Sequence, residues 1–480
     1  MRDMDLKNKA DFSKLKNINK VFFYRVCGVG MGATACLLKE KGLKVAGADT
    51  LYAPPMGDYL KSMGIECLEI KDLTDEYLKG FDLIVVGNVV PGNSDEARRI
   101  ENLGVPFSSF PETLGKLILN DINVIGISGT HGKTTTTYLM AQIFENLNEK
   151  PGYFIGGVIA DRPSSALGDG KYFFIEADEY DSAYFEKISK FRLYSINHLV
   201  CTSLEFDHAD IFNSIEDIKY QFKALIPSVE GSFIWNTDYE ALGELKNEYS
   251  NKTITAYGEN SKIGPRYLDE SNGQSRFALL IDNQEIEFQT NLVGRHNILN
   301  LTTCILFALD CGFKVDKIKK AILDLKMVKR RQEERGFFNK ALIIDDFAHH
   351  PRAVEVTLDA IITKYPQKTI HVIIEPQSAT ARSSIFQKEF ANSLLRASSV
   401  MIAKPSKPTT VKNSKDLDCH QLMEDINKKG TPAKLASNLD ELFSFIENCS
   451  QEESILLILS NGTCMGLWQS PWAKNLKPNV

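Results

Sequence analysis

The sequence predicts an α/β protein built on open, mainly parallel sheets in three successive segments, residues 1–121, 122–328 and 329–480. Three stretches carry that prediction. Residues 21–48 read as strand, glycine turn, helix and strand, and residues 122–147 as strand, glycine loop and helix. Past residue 329, apolar strands near 341–344, 371–374, 400–403 and 455–459 alternate with amphipathic helices. At 480 residues the chain is too long for one core, so two or three domains are expected.

In the first segment, residues 21–27 form an apolar strand and Gly28-Val29-Gly30-Met31-Gly32-Ala33 the turn after it. A helix over 34–41 and a strand over 44–48, closing on Asp49, follow. This GxGxxA spacing is close to what a dinucleotide site requires, with glycines for the tight turn and an acid for ribose hydroxyls. Alone it favours an NAD oxidoreductase, yet any nucleotide diphosphate can sit on that helix N-terminus. Residues 81–87 give the next strand, after which Asn88 and Asn93 fall where strand ends meet loops, the ligand edge of a parallel sheet. Turn formation explains both asparagines equally well.

The central segment opens with INVIGISGTHGKTTTT, residues 122–137, around which the chain is organised. An apolar strand, a glycine loop and a helix make a phosphate cradle. Its loop from Gly129, Thr130, His131 and Gly132 into Thr135 presents amides to an anion, Lys133 reaches the outer phosphates, and the Thr134 hydroxyl suits magnesium. The spacing is irregular, because Gly126 lies one residue too far upstream and Ile127 takes the usual first glycine position. A strand over 172–175 leads into Glu176-Ala177-Asp178-Glu179-Tyr180-Asp181. A strand end beside a phosphate loop is where a further magnesium carboxylate belongs, and Glu176 is the best candidate, with the other acids read as a solvated loop. Another strand, near 199–204, ends in Glu205-Phe206-Asp207-His208-Ala209-Asp210, where His208 suits metal ligation or acid–base chemistry. Residues 231–293 read as a β-rich insertion of short strands. A helix then opens at Gly294, with Asn297 and Asn300 on one face, suited to the edge of a flat base or to capping.

The last segment begins at Arg330-Arg331. Asp345-Asp346-Phe347-Ala348-His349-His350-Pro351 leaves its first strand, and Pro351 suits the first turn of a helix. The turn after the second strand carries Gln377 and Arg382. Polar groups such as His349, His350 and Arg382 converge at the carboxyl edge of this sheet, where a ligand is expected.

Composition narrows the partners. A formal charge of −6 with no long Lys/Arg stripe argues against nucleic acid. The first twenty residues lack the apolar core of a secretory signal, and no apolar run approaches the ~20 residues that span a bilayer. Nine scattered cysteines without a CxxC pair fit reduced thiols in the cytoplasm and suggest no zinc.

SGTHGKTTT, EADEYD, LEFDHADIF, GRHNILN, RRQEERG and DDFAHHP, in that order, closely resemble the Mur ligases, and the resemblance covers nearly the whole chain. It implies an N-terminal Rossmann-like domain for a UDP-sugar, a central P-loop ATPase domain and a C-terminal Rossmann-like domain for the acceptor. His131 before Gly132-Lys133 resembles the branch acting on UDP-N-acetylmuramate itself. Ala53-Pro54-Pro55-Met56, Tyr180 and the 206–212 run resemble members that attach a whole murein peptide.

By this resemblance, Lys133 and Thr134 hold ATP and Mg2+, Glu176 and His208 serve the metal, and Asn297 and Asn300 contact adenine. Arg331 and Asp346 look like residues that close over the phosphates and ribose. The turn from Gly28 through Gly30 and Met31 to Gly32 would hold the UDP diphosphate, which removes the need for NAD. The implied reaction is ATP-dependent amide formation through an acyl phosphate, with L-alanyl-γ-D-glutamyl-meso-diaminopimelate as acceptor in peptidoglycan recycling. Free L-alanine as acceptor, and a nucleotide-binding module that has lost catalysis, are the competing readings. Gln377 stands where the peptide-adding members have a basic residue. The expected state is a monomer or weak homo-oligomer.

Overall fold

The computed structural model describes residues 6–157, 159, 162–271 and 273–477. The chain forms two compact units. One takes residues up to Glu205 with Glu216–Ile263 and Leu301–Ile322; the other takes Phe206–Ile215, Gly264–Asn300 and the chain from Leu323 onward.

The first unit contains two sheets. In the N-terminal one, β1 (Lys20–Tyr24), β2 (Lys44–Asp49), β3 (Glu66–Glu69), β4 (Leu83–Val86) and β5 (Phe107–Ser109) are ordered β3-β2-β1-β4-β5. The registered pairs are parallel, and Val21 to Tyr24 are fully buried, as a strand covered on both faces requires. This is the doubly wound order, with its switch point between β1 and β4. Helix α1 (Val29–Glu40) starts earlier than the expected 34, so Gly30 and Gly32 lie inside its first turns. Both are closely packed. A Cβ on Gly30 would come 2.8 Å from the Phe110 ring, and one on Gly32 would overlap the Met56 sulfur.

The second sheet of this unit comprises β6 (Asn123–Ser128), β7 (Gly152–Phe154), β8 (Ser165–Ala166), β9 (Tyr172–Glu176), β12 (His198–Cys201), β13 (Phe233–Asn236) and β14 (Ile254–Tyr257). Between β9 and β12, the hairpin β10 (Asp181–Ala183) and β11 (Glu186–Ser189) stands apart. The order β14-β13-β12-β6-β9-β7-β8 puts β6 at the centre, and only β7–β8 is antiparallel. Gly126 inside β6 leaves room for Ile196, whose Cδ1 would lie 2.5 Å from a Cβ there. The strands β13 and β14 belong to this parallel sheet and not to a β-rich insertion. FIWN is buried at every position, the pattern of a strand covered on both faces.

In the second unit, β15 (Arg266–Ser271), β16 (Gln274–Ile281) and β17 (Gln284–Thr290) form an antiparallel meander, so the β-rich part shrinks to these three strands. Helix α2 is Lys133–Asn146 in the first unit, and α3 (Arg295–Asp310) follows the meander. The other sheet takes β18 (Glu333–Phe338), β19 (Ala341–Asp346), β20 (Thr369–Glu375), β21 (Ser399–Ala403), β22 (Ala433–Ala436) and β23 (Ser454–Ser460), ordered β18-β19-β23-β20-β21-β22. All pairs are parallel except β18–β19. The edge strands β18 and β22 escape the sequence pattern because EERGFF and AKLA lack a sustained apolar run. Helix α4 (Pro351–Lys364) begins with Pro351 as expected, and the His350 ring nitrogen accepts from the Arg352 amide at 3.3 Å as its cap.

Candidate active site

The phosphate loop runs from the end of β6 to the start of α2. Gly129 (φ +141°) and Gly132 (φ +84°) adopt conformations open to glycine, and a Cβ on Gly129 would run into Thr202 and the Ser203 backbone. The segment after β12 fixes the loop from beneath. The His131 amide donates to Ser203 Oγ at 2.7 Å, Thr130 Oγ1 donates to the Glu205 carbonyl at 3.2 Å, and the Glu205 amide donates to Thr130 Oγ1 at 2.8 Å. His131 Nε2 lies 3.2 Å from Glu205 Oε2. The irregular spacing therefore coincides with a loop that is clamped, its amides held at the N-terminus of α2 where an anion is favoured.

Lys133 and Thr134 begin α2 and meet the strand-end acids. Lys133 Nζ donates to the Gly129 carbonyl at 2.6 Å and sits 3.5 Å from both Glu179 oxygens. Glu179 is buried, which corrects its reading as part of a solvated loop. The Thr134 hydroxyl donates to Glu176 Oε2 at 3.1 Å, and the Gly156 amide donates to Glu176 Oε1 at 2.6 Å. Burial raises the Glu176 carboxyl, with the Gly156 amide, Lys133 and Thr134 pulling the other way. A hydroxyl and a carboxylate facing each other beside the loop are the oxygen donors a small divalent cation uses together with phosphate, so this pair fits magnesium. Thr135 is buried behind them. Asp178 pairs with Lys190 at 3.1 Å.

The remaining sequence-predicted residues of the nucleotide site lie in the second unit. Asp207 is buried. Burial opposes its ionisation, but His208, His349 and His350 outweigh that and hold its carboxyl well below the usual range. The Ala209 amide donates to Thr380 Oγ1 at 3.1 Å, and His208 takes a left-handed backbone (φ +56°). Asn297 and Asn300 are both buried, and Asn297 Nδ2 donates to the Val293 carbonyl at 2.8 Å. Arg331 stacks over Phe347 at 5.1 Å, while Asp346 accepts from the Gln332 and Ala348 amides, each at 2.8 Å. Burial raises Asp346, and Arg331 offsets it. His349 Nδ1 lies 2.9 Å from the Phe347 carbonyl, and the Arg382 Nε is shielded from solvent with no hydrogen-bond partner among the described residues.

At the edge of the N-terminal sheet, Gly28 caps α1, and Met31 is buried. The Asp49 carboxylate accepts from the Cys27 and Thr50 amides, each at 2.8 Å, so it braces the loop. Asn88 Nδ2 donates to the Asp181 carbonyl at 3.3 Å, and the Asn93 carbonyl accepts from Arg98 at 3.3 Å. Arg25, unnoticed in the sequence, sits at the switch point with φ +70°, 2.5 Å from Glu96.

A clamped glycine loop, Lys133 and Thr134 at a helix start, and a strand-end carboxylate define a nucleoside-triphosphate enzyme of the phosphate-loop class. Sequence models of the Mur ligase family match in three places: the catalytic domain at residues 20–121, the middle domain at 127–308 and the glutamate ligase domain at 330–462. The UDP-N-acetylmuramate–L-alanyl-γ-D-glutamyl-meso-2,6-diaminoheptandioate ligases of Haemophilus influenzae and Escherichia coli K12 are each 32% identical. They align over 92% and 94% of this chain and 96% and 97% of their own lengths. A murein peptide ligase structure from Psychrobacter arcticus superposes with a TM-score of 0.69 at 27% identity, covering 97% of this chain and all of that one. The chain belongs to the Mur ligase family, ATP-dependent ligases that form amide bonds.

Proposed function

We propose that this enzyme uses ATP and Mg2+ to join UDP-N-acetylmuramate to the tripeptide L-alanyl-γ-D-glutamyl-meso-diaminopimelate, in recycling of the cell wall. The observation that carries the chemistry is the pair Thr134–Glu176 at 3.1 Å beside Lys133. The acceptor reading rests on the two peptide ligases, 32% identical over more than nine-tenths of the chain.

Lys133, the loop amides from Gly129 to Thr135 and the N-terminus of α2 hold the triphosphate. Thr134 and Glu176, with His208, would hold magnesium, which when bound offsets phosphate charge and orients the γ-phosphate. The lactyl carboxylate of the sugar attacks the γ-phosphorus, the bond to the ADP oxygen breaks, and an acyl phosphate forms. Lys133 stabilises charge on the transferring group. The α-amine of the peptide then attacks the acyl carbon and phosphate leaves, giving amide, ADP and phosphate. Asn297 and Asn300 read adenine, and Arg331 and Asp346 serve the phosphates and ribose. The edge of the N-terminal sheet at Gly28 to Gly32, Asp49, Asn88 and Asn93 takes the UDP-sugar, and His349, His350 and Arg382 serve the acceptor. The segments 1–121, 122–328 and 329–480 act as sugar, ATP and acceptor domains, supported by family matches at 20–121, 127–308 and 330–462. We place the enzyme in the cytoplasm, where ATP and UDP-sugars are found, as a monomer or weak homo-oligomer. No helix among the described residues is long and apolar enough to cross a membrane.

The test is ADP release by the purified protein. It should require UDP-N-acetylmuramate together with the peptide, and ATP turnover indifferent to the sugar nucleotide would sink the proposal.

A further inference from the structure

The hairpin β10–β11 ties the acidic segment at the phosphate loop to the N-terminal sheet. Its tip, Ala183-Tyr184-Phe185, is buried in the core of that sheet with Phe22, Tyr24, Ile84 and Phe107, and the Phe185 ring meets Phe107 edge-on at 5.0 Å. Glu186 accepts from Ser109 Oγ at 2.5 Å and pairs with Lys9 at 2.8 Å, which fixes the return strand to the end of β5. At the stem, Ser189 Oγ donates to the Glu179 carbonyl at 2.6 Å and the Lys190 amide to the Tyr180 carbonyl at 2.9 Å. Lys190, the residue that leaves the hairpin, is thereby held to the N-terminal sheet and to the strand-end acids at once.

Residues 176–181 carry four carboxylates, and an anionic nucleophile that approaches them is repelled unless a cation receives it. Glu176 is met by Thr134 and Gly156, Glu179 by Lys133, and Asp181 by Lys187 at 2.8 Å. Lys190 Nζ pairs with Asp178 at 3.1 Å, which uses one of its three donors. Its other neighbours are ring faces, Tyr180 at 5.4 Å and Phe110 at 5.9 Å, which hold the side chain in place and offer no oxygen. No second oxygen meets Nζ among the described residues. Phe110 in turn packs on Gly30, in the first turn of α1 where the diphosphate is expected. Asp178 lies two residues from Glu176, which faces Thr134 at 3.1 Å. The contacts lead from the diphosphate turn to the magnesium pair, and Lys190 is the ammonium on that path.

We propose that Lys190 receives the lactyl carboxylate of the sugar nucleotide, orienting it toward the γ-phosphate and offsetting its repulsion from the neighbouring acids. The inference rests on the functional reading above. A sugar nucleotide whose diphosphate sits at Gly28 to Gly32 carries its lactyl arm across to Lys133, and the two unspent donors of Lys190 match the two carboxylate oxygens. Holding the nucleophile on a residue outside the phosphate loop leaves Lys133 to the transferring group.

The experiment measures Kd by titration calorimetry on the full-length protein, with Mg2+ and a non-hydrolysable ATP analogue present and no peptide, for UDP-N-acetylmuramate and for its lactyl carboxamide. Lys190→Ala should weaken the acid by about tenfold, the worth of a charge-assisted hydrogen bond, and the carboxamide by less than about twofold, with affinity for the ATP analogue kept. Lys190→Gln, which retains a donor for Asp178 without the charge, should behave alike, and Lys190→Arg should keep the wild-type preference for the acid. If the loss for the acid exceeds that for the carboxamide by less than about fivefold in both Lys190→Ala and Lys190→Gln, the lysine only braces Asp178 and the proposal is overturned, while the ligase reading stands. A wild-type protein that does not bind UDP-N-acetylmuramate overturns the functional reading, and this contact with it.

Discussion

Lys133 is held from two sides, by the Gly129 carbonyl and by buried Glu179, so its ammonium is ordered before any phosphate arrives. Lys133→Ala should lower kcat by about 10²–10³-fold, as loss of a preorganised electrostatic group does, with the fold kept by circular dichroism. Glu176→Gln should cost about 10–100-fold in activity or metal affinity, read as a raised Mg2+ requirement in the ADP assay. Lys133, Thr134 and Glu176 were legible in the sequence because a lysine and threonine after the last loop glycine, and an acid at a strand end, have few other uses. Glu179 and Glu205 were not. Their partners, Lys133 and His131, are fixed by where the ends of β9 and β12 meet the loop, and adjacency between strands is not written in local spacing.

Among the elements, the helix that closes the N-terminal sheet, Phe110–Leu117, shows how close the packing is. A Cβ on Gly115 would overlap the Leu193 carbonyl, a backbone atom that cannot swing aside, so Gly115→Ala should destabilise by about 2–3 kcal/mol in thermal unfolding. The start of α3 adds a pH dependence. Burial, reinforced by Arg331, pushes His296 down to about 4, and its Nε2 lies 3.0 Å from Gln332 Nε2. With the folded value below the unfolded 6.5, its contribution is complete above pH 6.5 and is lost as pH falls toward 4. That loss is up to about 3 kcal/mol, and His296→Gln should flatten the decline in unfolding temperature over this window. Strand existence was mostly legible from apolar runs. The start of α1 was misjudged because Gly30 and Gly32 serve packing against Phe110 and Met56, which a turn reading of glycine cannot anticipate. The assignment of β13 and β14 failed because short strands look alike whether they extend a parallel sheet or form a meander.

For the whole molecule, the order of motifs along the chain identified the family, and SGTHGKTTT, EADEYD, LEFDHADIF and DDFAHHP each end or follow a strand of an open sheet, at the edge where ligands bind. A crevice walled by Glu375, Lys404, Ser437 and Thr463 stayed hidden because four strand ends distant in sequence build it. The central claim is that this ligase attaches a peptide, and the most direct measurement is the mass of the sugar-nucleotide product when tripeptide and L-alanine compete at equal concentration with ATP, Mg2+ and UDP-N-acetylmuramate. The account predicts UDP-N-acetylmuramoyl-tripeptide as the dominant product, formed with ADP. A product carrying alanine alone would contradict it.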